Sequence, residues 1–177
     1  MLTKKVSARL LTVAGATALV LGGMSGAQAA GSATDNLTVQ ATVDANCTIS
    51  TTAVDFGSYD PVVANKTTDL PAQGKVTVLC TTGASATVML GQGSNADTGS
   101  TDGAPARRLK HGTADFLSYS LYSDSGLTTA WGNTAGTGVT ATADGASHDI
   151  DVYGNLLHGQ NVPVGTYTDT VVATITF

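Results

Sequence analysis

Apolar and polar residues alternate with a period of two along much of the chain, and this alternation constrains the fold more than any other feature. In residues 75–80, for example, Val76 and Val78 flank Thr77. Such a period places successive side chains on opposite faces of a β-strand. All 13 acidic residues are Asp and none is Glu, and Asp favours turns and caps over helix interiors. The pattern argues against a helical bundle or coiled coil and predicts an all-β protein.

Short turn signals separate the alternating runs, among them Asp-Gly at 102–103 and 144–145. Many short strands with Gly-rich turns indicate a β-sandwich, and the length fits one domain. The segment 91–104, rich in Gly, Ser, Asp and Asn, is expected to be a mobile surface loop. We expect strands at 37–43, 47–49, 75–80, 84–90, 107–111, 116–123, 138–143, 147–153 and 167–177. Residues 54–57 are expected to be a strand end, followed by a turn at 59–61.

The N-terminus has the layout of a Sec signal peptide. Lys4, Lys5 and Arg9 precede an apolar run that ends near Gly23, and small residues follow up to Ala29. We expect cleavage after Ala29, a signal peptide at 1–29 and no stable membrane insertion of the mature chain, because the run is short and rich in Gly and Ala. A permanent N-terminal anchor is the alternative. Loss of the three basic residues would change the formal charge from −5 to −8, which leaves no basic surface for nucleic acid.

The chain has two cysteines, Cys47 and Cys80. In an exported protein such a pair indicates a disulfide, here closing a loop of about 34 residues. Two free thiols are the alternative. The spacing excludes a CxxC redox motif.

No residue pattern predicts a catalytic or metal site. The three histidines, His111, His148 and His158, lack the spacing of a zinc motif. Asp144, Asp149 and Asp151 lack the offsets and the closing Glu of an EF-hand loop. We therefore expect no catalytic residue, no metal ligand and no cofactor.

Two passages in the second half of the chain carry motifs in a specific order. The first is Arg108-Leu109-Lys110, followed by residues 117–124 and Trp131-Gly132. The second is Val152-Tyr153-Gly154, followed by Gly159-Gln160 and by residues 163–171, and it runs to Phe177. Together the two passages resemble the spore coat protein U domain family, the pilins of archaic (Csu-type) chaperone–usher fimbriae.

This resemblance implies an incomplete immunoglobulin-like β-sandwich, at residues 44–177, that lacks its last strand. In the family a periplasmic chaperone lends a strand to fill the gap, and at the outer-membrane usher the N-terminal extension of the next subunit replaces it by β-strand addition. Cys47 and Cys80 match the cysteine pair of the family. The resemblance makes residues 30–43 a donor-strand extension with the pocket-filling residues Leu37, Val39, Ala41 and Val43. The last intrinsic strand, bordering the groove, would carry Val171, Ala173, Ile175 and Phe177. Periodicity alone leaves open that 37–43 is the first strand of the chain's own sandwich.

The function that the resemblance implies is structural. We expect a subunit, most simply the major stalk pilin, of a cell-surface fimbria that polymerises by donor-strand complementation for attachment and biofilm formation. Its expected partners are the periplasmic chaperone, the outer-membrane usher and neighbouring subunits. A tip adhesin would need an additional receptor-binding domain. The alternatives are a secreted or spore-coat protein of the same fold and a periplasmic β-sandwich binding module or enzyme.

Overall fold

The computed structural model describes residues 30–177, so the predicted signal peptide at 1–29 lies outside the described residues. Residues 30–40 belong to one unit and form no strand, whereas the compact unit Ala41–Phe177 contains every strand of the described residues. None of the described segments is a helix that could cross a membrane. The strands, in chain order, are β1 (Cys47–Thr52), β2 (Leu70–Cys80), β3 (Ala86–Leu90), β4 (Arg107–His111), β5 (Asp115–Tyr122), β6 (Val139–Ala141), β7 (Ser147–Leu156) and β8 (Ala173–Thr176).

The strands form two antiparallel sheets. One sheet has five strands in the order β1-β2-β7-β5-β4, and the other has three in the order β6-β3-β8. Alternate residues of each strand point inward, which follows from the period of two. The fold class predicted from the sequence is thus confirmed. The packed core between the sheets consists of Val76, Val78, Cys80, Ala86, Val88, Leu90, Leu117, Tyr119, Leu121, Trp131, Ala141, Val152 and Leu156.

One predicted strand, 37–43, and the predicted strand end at 54–57 are absent from the described chain. Residues 37–43 form no strand and Leu37 is 88% exposed, and the segment 54–57 passes over the sheet instead of joining it. The predicted strand 167–177 is shortened to β8 because the chain changes sheets there. Thr168 still pairs with Lys110 of β4, while residues from Ala173 onward pair with β3.

The core holds a charged side chain, Arg107, which is only 2% exposed. Its guanidinium donates hydrogen bonds to the carbonyl oxygens of Leu90 (2.8 Å), Gly91 (2.9 Å) and Trp131 (2.8 Å). Burial lowers the pKa of Arg107, and the nearby Tyr119 and Asp169 partly oppose this. A buried donor with satisfied hydrogen bonds fixes the backbone that it contacts. Arg107 therefore ties β4 to the end of β3 and to the segment around Trp131.

The segment 91–104 is more firmly held than the mobile loop that its composition predicts. The Ser94 amide donates to the Thr170 carbonyl (3.1 Å), and the Asp97 amide donates to the Ala106 carbonyl (2.8 Å). Asp97 also forms an ion pair with Arg108 (2.8 Å). These bonds connect the segment to β4 and to the chain entering β8, so composition alone overstated its freedom.

The predicted disulfide between Cys47 and Cys80 is present. The two residues lie directly opposite each other, at the start of β1 and the end of β2. Because β1 is an edge strand of its sheet, a covalent link to β2 limits its detachment.

We expect the double substitution Cys47→Ser and Cys80→Ser to lower the free energy of unfolding by about 3 kcal/mol, since the unfolded chain regains the freedom of the closed loop. Trp131, the only tryptophan and fully buried, reports unfolding by fluorescence in a urea titration. Reduced wild type should match the double variant. Equal stability of the oxidised wild type and the variant would contradict the prediction.

Candidate functional site

An open groove runs beside the C-terminal strand of the compact unit. One wall is the segment 53–62, which follows β1, and the other is the segment 161–173, which leads into β8. The groove has two adjoining parts, and the residues that line both are Ala53, Val54, Phe56, Leu109 and Asp169. We call the two parts the narrow section, of about 360 Å³, and the wide section, of about 810 Å³.

The floor of the groove is apolar. Val76, Leu121 and Val152 line the narrow section, while Leu117 and Leu156 line the wide section. All five belong to the inner face of the five-stranded sheet, because the period of two turns them toward the core. Covering this apolar surface with an apolar group is favourable, because it removes the surface from water.

Two glycines place the first wall close to the sheet. A Cβ atom on Gly154 would lie 2.6 Å from Val54 Cγ1 and 3.0 Å from Phe56 Cζ, and one on Gly74 would lie 2.8 Å from Val54 Cγ2. Both positions require glycine because of this close approach. The Phe56 ring then packs edge-on against Tyr119, with ring centroids 6.0 Å apart.

The second wall has an open main-chain edge. β8 is an edge strand that pairs with β3 on one side only. The Gly91 amide donates to the Val172 carbonyl (2.8 Å), and by the alternation of an antiparallel ladder Thr174 and Thr176 also face β3. The amide and carbonyl groups of Val171 and Ala173 therefore point away from β3, along the groove.

A polar cluster interrupts the groove where its two sections meet. Asp169 accepts hydrogen bonds from the Tyr119 hydroxyl (2.7 Å), the Ser94 amide (2.9 Å) and the Asn95 side-chain amide (3.0 Å). Burial raises the pKa of Tyr119, and the hydrogen bond to Asp169 adds to this, so the phenol stays protonated and donates. These donors offset part of the cost of covering the carboxylate with an apolar group.

The start of the second wall is fixed by a separate set of hydrogen bonds. The Gln160 amide donates to the Tyr59 hydroxyl (2.9 Å), and the Gln160 side chain bonds both main-chain groups of Ser118. Asp69 accepts from the Asn155 side chain (2.7 Å) and from the His158 amide (2.8 Å). These contacts hold the turn from which residues 161–169 emerge.

The residues predicted to form the donor strand are exposed, whereas most of those predicted to border the groove line it or pack against the core. Leu37, Val39 and Val43 are exposed by 88%, 87% and 82%, and Ala41 is also exposed. Val171 and Ala173 line the narrow section, Ile175 packs against the core opposite Val88, and Phe177 is 55% exposed.

The histidines and aspartates considered for a metal site do not converge on one point. His111 contacts the Thr166 carbonyl, His148 contacts Asp144, and Asp149 pairs with Lys75 (2.7 Å). Within residues 30–177 no group of three His, Cys, Asp or Glu side chains could hold a metal ion.

Sequence reasoning missed three parts of the site. It did not identify Gly74 and Gly154 as contact points, and it took Val54 and Phe56 for a strand end rather than a groove wall. It also did not single out Asp169, although this residue lies in the passage 163–171 that carries the family resemblance. Contacts between residues far apart in the sequence create all three features, so local periodicity carries no signal for them.

The fold and the groove define a class: an immunoglobulin-like β-sandwich with one strand position unfilled. The family model "Spore Coat Protein U domain" matches residues 33–174. "Protein U" of Myxococcus xanthus is 46% identical over 155 residues, which covers 84% of this chain and 87% of that protein. The chain belongs to the Spore Coat Protein U domain family.

A solved structure shares the fold. It is the CsuC–CsuE chaperone–tip adhesion subunit pre-assembly complex from the archaic chaperone–usher Csu pili of Acinetobacter baumannii. One of its chains matches with a TM-score of 0.54 and 22% sequence identity. The match covers 77% of the present chain and 40% of the solved one.

We expect Gly154→Ala to lower the free energy of unfolding by about 1–3 kcal/mol, because its Cβ would displace Val54 and Phe56. Gly136→Ala is the matched control, since no atom lies within 4 Å of the Cβ that it would add. Urea titrations followed by Trp131 fluorescence measure both. Equal stability of the two variants would show that the first wall does not rest on Gly154.

A low pH should weaken the hydrogen bonds of Asp69 that hold the start of the second wall. The Asn155 side chain holds the pKa of Asp69 below its usual value, and His158 adds to this. A depressed folded-state pKa contributes stability above the unfolded pKa of about 3.9, and this stability is lost as the pH falls through the lowered value.

Asp69→Asn should therefore be less stable than wild type by about 1 kcal/mol at neutral pH. The difference should shrink at about pH 3, which lies below the unfolded pKa of about 3.9, because the stability contributed by the ionised carboxylate is then being lost. Urea titrations at the two pH values measure it. A difference in stability of the same size at both pH values would exclude the ionised carboxylate of Asp69 as the source of the stabilisation.

Proposed function

We propose that this chain is a structural subunit that polymerises by strand donation, with residues 37–43 of one copy filling the groove of another. The observation that carries the proposal is the open edge at Val171 and Ala173, above an apolar floor. A strand added to this edge gains main-chain hydrogen bonds, and its alternate side chains fill pockets. Leu37, Val39, Ala41 and Val43 have the spacing that such a strand needs.

Burial of the apolar side chains of the donor strand would make a large favourable contribution to the free energy of strand donation. Burial of three large aliphatic side chains and one Ala contributes on the order of 5–9 kcal/mol before entropic costs. The four residues are exposed in the described chain, so this surface is free to be buried. Main-chain hydrogen bonds along the edge add to the sum, and dissociation requires the whole strand to detach.

We propose further that a periplasmic chaperone occupies the groove before assembly and that an outer-membrane usher exchanges it for the next subunit. The solved structure that shares this fold is a chaperone–subunit complex, which supports the first step. The product would be an extracellular fimbria with this chain as its major stalk pilin, serving attachment and biofilm formation. The mechanism has no chemical step and needs no cofactor.

A coat on a cell or spore surface is the second candidate. It is favoured by the 46% identity to "Protein U" and by the name of the family. The same strand donation would build either product. Electron microscopy of the assembled protein separates them, because a fimbria is a thin fibre of uniform width and a coat is a layer.

Val39→Asp should abolish polymerisation, because it would place an unpaired carboxylate in an apolar pocket. Thr38→Asp is the matched control, since residue 38 lies on the opposite face of the donor strand. Gel electrophoresis of unboiled samples in SDS measures assembly. Wild type and Thr38→Asp should give a ladder that collapses on boiling, and Val39→Asp should run as monomer.

Deletion of residues 31–43 should have the same effect as Val39→Asp while the remaining domain still folds. A normal ladder from either of these two variants would overturn the assignment of residues 37–43 as the donor strand.

A further inference from the structure

The open main-chain edge of the second wall extends beyond β8. Residues 167–173 alternate between half-buried odd positions and exposed even positions. Thr168 exchanges main-chain hydrogen bonds with Lys110 of β4, and the carbonyls of Thr170 and Val172 accept from the segment that follows β3. By the alternation of main-chain groups along an extended segment, those of residues 167, 169, 171 and 173 face the groove.

The groove is as long as the apolar pattern of the proposed donor strand. The side chains at 167, 169, 171 and 173 line it, whereas Ile175 and Phe177 line neither section. The donor segment has four apolar residues at the same spacing, which are Leu37, Val39, Ala41 and Val43. Residues directly opposite each other in an antiparallel pair share a face, so a shift by one residue would turn all four toward solvent. The possible registers therefore differ by steps of two residues.

The orientation of the added strand narrows the choice further. Every ladder between the named strands of this fold is antiparallel. An added strand of the same orientation begins beside residue 173, in the narrow section, and ends beside residue 167, in the wide section. The register that uses the whole groove pairs Leu37 with Ala173, Val39 with Val171, Ala41 with Asp169 and Val43 with Tyr167.

The polar cluster in the middle of the groove distinguishes this register from its neighbours. The Asp169 carboxylate accepts from the Tyr119 hydroxyl (2.7 Å) and the Ser94 amide (2.9 Å), and it lines both sections. It has no room to retreat, because even a Cβ atom on Gly93 would clash with it. A large apolar side chain over the carboxylate would remove its remaining water at a cost, whereas a methyl group covers it least.

Ala41 is the only small residue of the donor pattern. A shift by two residues in either direction would set Val39 or Val43 against Asp169. A shift by four toward the C-terminus of β8 would set Ala45 there, but it would move the first two apolar residues of the donor beyond the groove. The register with Ala41 opposite Asp169 is thus the one that fills the groove and leaves the carboxylate least covered.

We propose that the hydrogen-bonded pair of Tyr119 and Asp169 sets the register of the donor strand by admitting only a small side chain, that of Ala41, at the middle of the groove. The inference rests on the proposed strand donation and identifies the side chains that decide which segment fits. A segment with a large residue at this position binds more weakly, even when its apolar pattern is correct. The pair therefore discriminates between donor segments as well as between registers.

Disulfide cross-linking measures the register directly. The donor is a synthetic peptide of residues 34–46 with Leu37→Cys, and the acceptor is the Val39→Asp chain with one added cysteine. The native cysteines are already paired with each other. Residues directly opposite each other lie within reach of a disulfide, whereas a shift by two residues separates them by about 7–8 Å. The acceptor variants are Val171→Cys, Ala173→Cys, Ile175→Cys and Phe177→Cys.

We expect the cross-linked fraction, measured by mass spectrometry in a glutathione buffer, to be about ten-fold higher for Ala173→Cys than for the other three variants. The highest fraction at any of the other three would overturn the register while leaving strand donation intact. No cross-link at any of the four positions would overturn strand donation to this edge, and the register with it.

A second measurement tests the polar pair itself, by fluorescence anisotropy of labelled peptides. Ala41→Leu in the peptide should weaken binding to the Val39→Asp chain about ten-fold, whereas Val39→Leu, the matched control, should change it by less than about two-fold. An acceptor that also carries Tyr119→Phe and Asp169→Ala should bind the Ala41→Leu peptide without this loss. A loss of the same size in both acceptors would overturn the role of the pair. Cross-linking uses neither of these two substitutions, so it tests the register whether or not this acceptor folds.

Discussion

The unfilled strand position beside β8 is the constraint on which the rest of the structure depends. β8 is the last strand of the three-stranded sheet, so one side of it has no hydrogen-bonded partner strand. Beside it, apolar residues on the inner face of the five-stranded sheet line an open groove. Unpaired main-chain groups and an apolar surface are both costly to leave in water. Covering them with one extended segment satisfies both requirements, which is why strand donation is the economical explanation of this architecture.

Several contacts keep the two walls in place. The disulfide ties β1 to β2 just before the first wall begins, and Gly74 and Gly154 let that wall lie close to the sheet. Hydrogen bonds from Ser94 and Asn95 to Asp169 connect the second wall to the segment 91–104, for which the composition predicts a mobile loop. A groove formed in advance loses less conformational entropy when a strand enters it.

The sequence predicted the parts of this fold that depend on local periodicity. The strand 107–111 was placed with its observed bounds, and the core face of β2 follows from the alternation at Val76 and Val78. The predictions failed where tertiary structure decides. The segment 167–172 carries strand periodicity but changes sheets, and 54–57 rests on glycines that are distant in sequence. The alternation of Leu37 and Val39 indicates a strand, yet it contains no information on which copy of the chain supplies its partner.

The most direct test of the central claim is amide hydrogen exchange, measured by NMR on the Val39→Asp chain with and without a synthetic peptide of residues 34–46. The amides of Val171 and Ala173 face the open edge, whereas that of Thr174 already faces β3. We predict that the peptide slows exchange at Val171 and Ala173 by orders of magnitude and changes Thr174 much less, because added strands protect the edge they pair with. Unchanged exchange at Val171 and Ala173 with the peptide bound would contradict strand donation to β8.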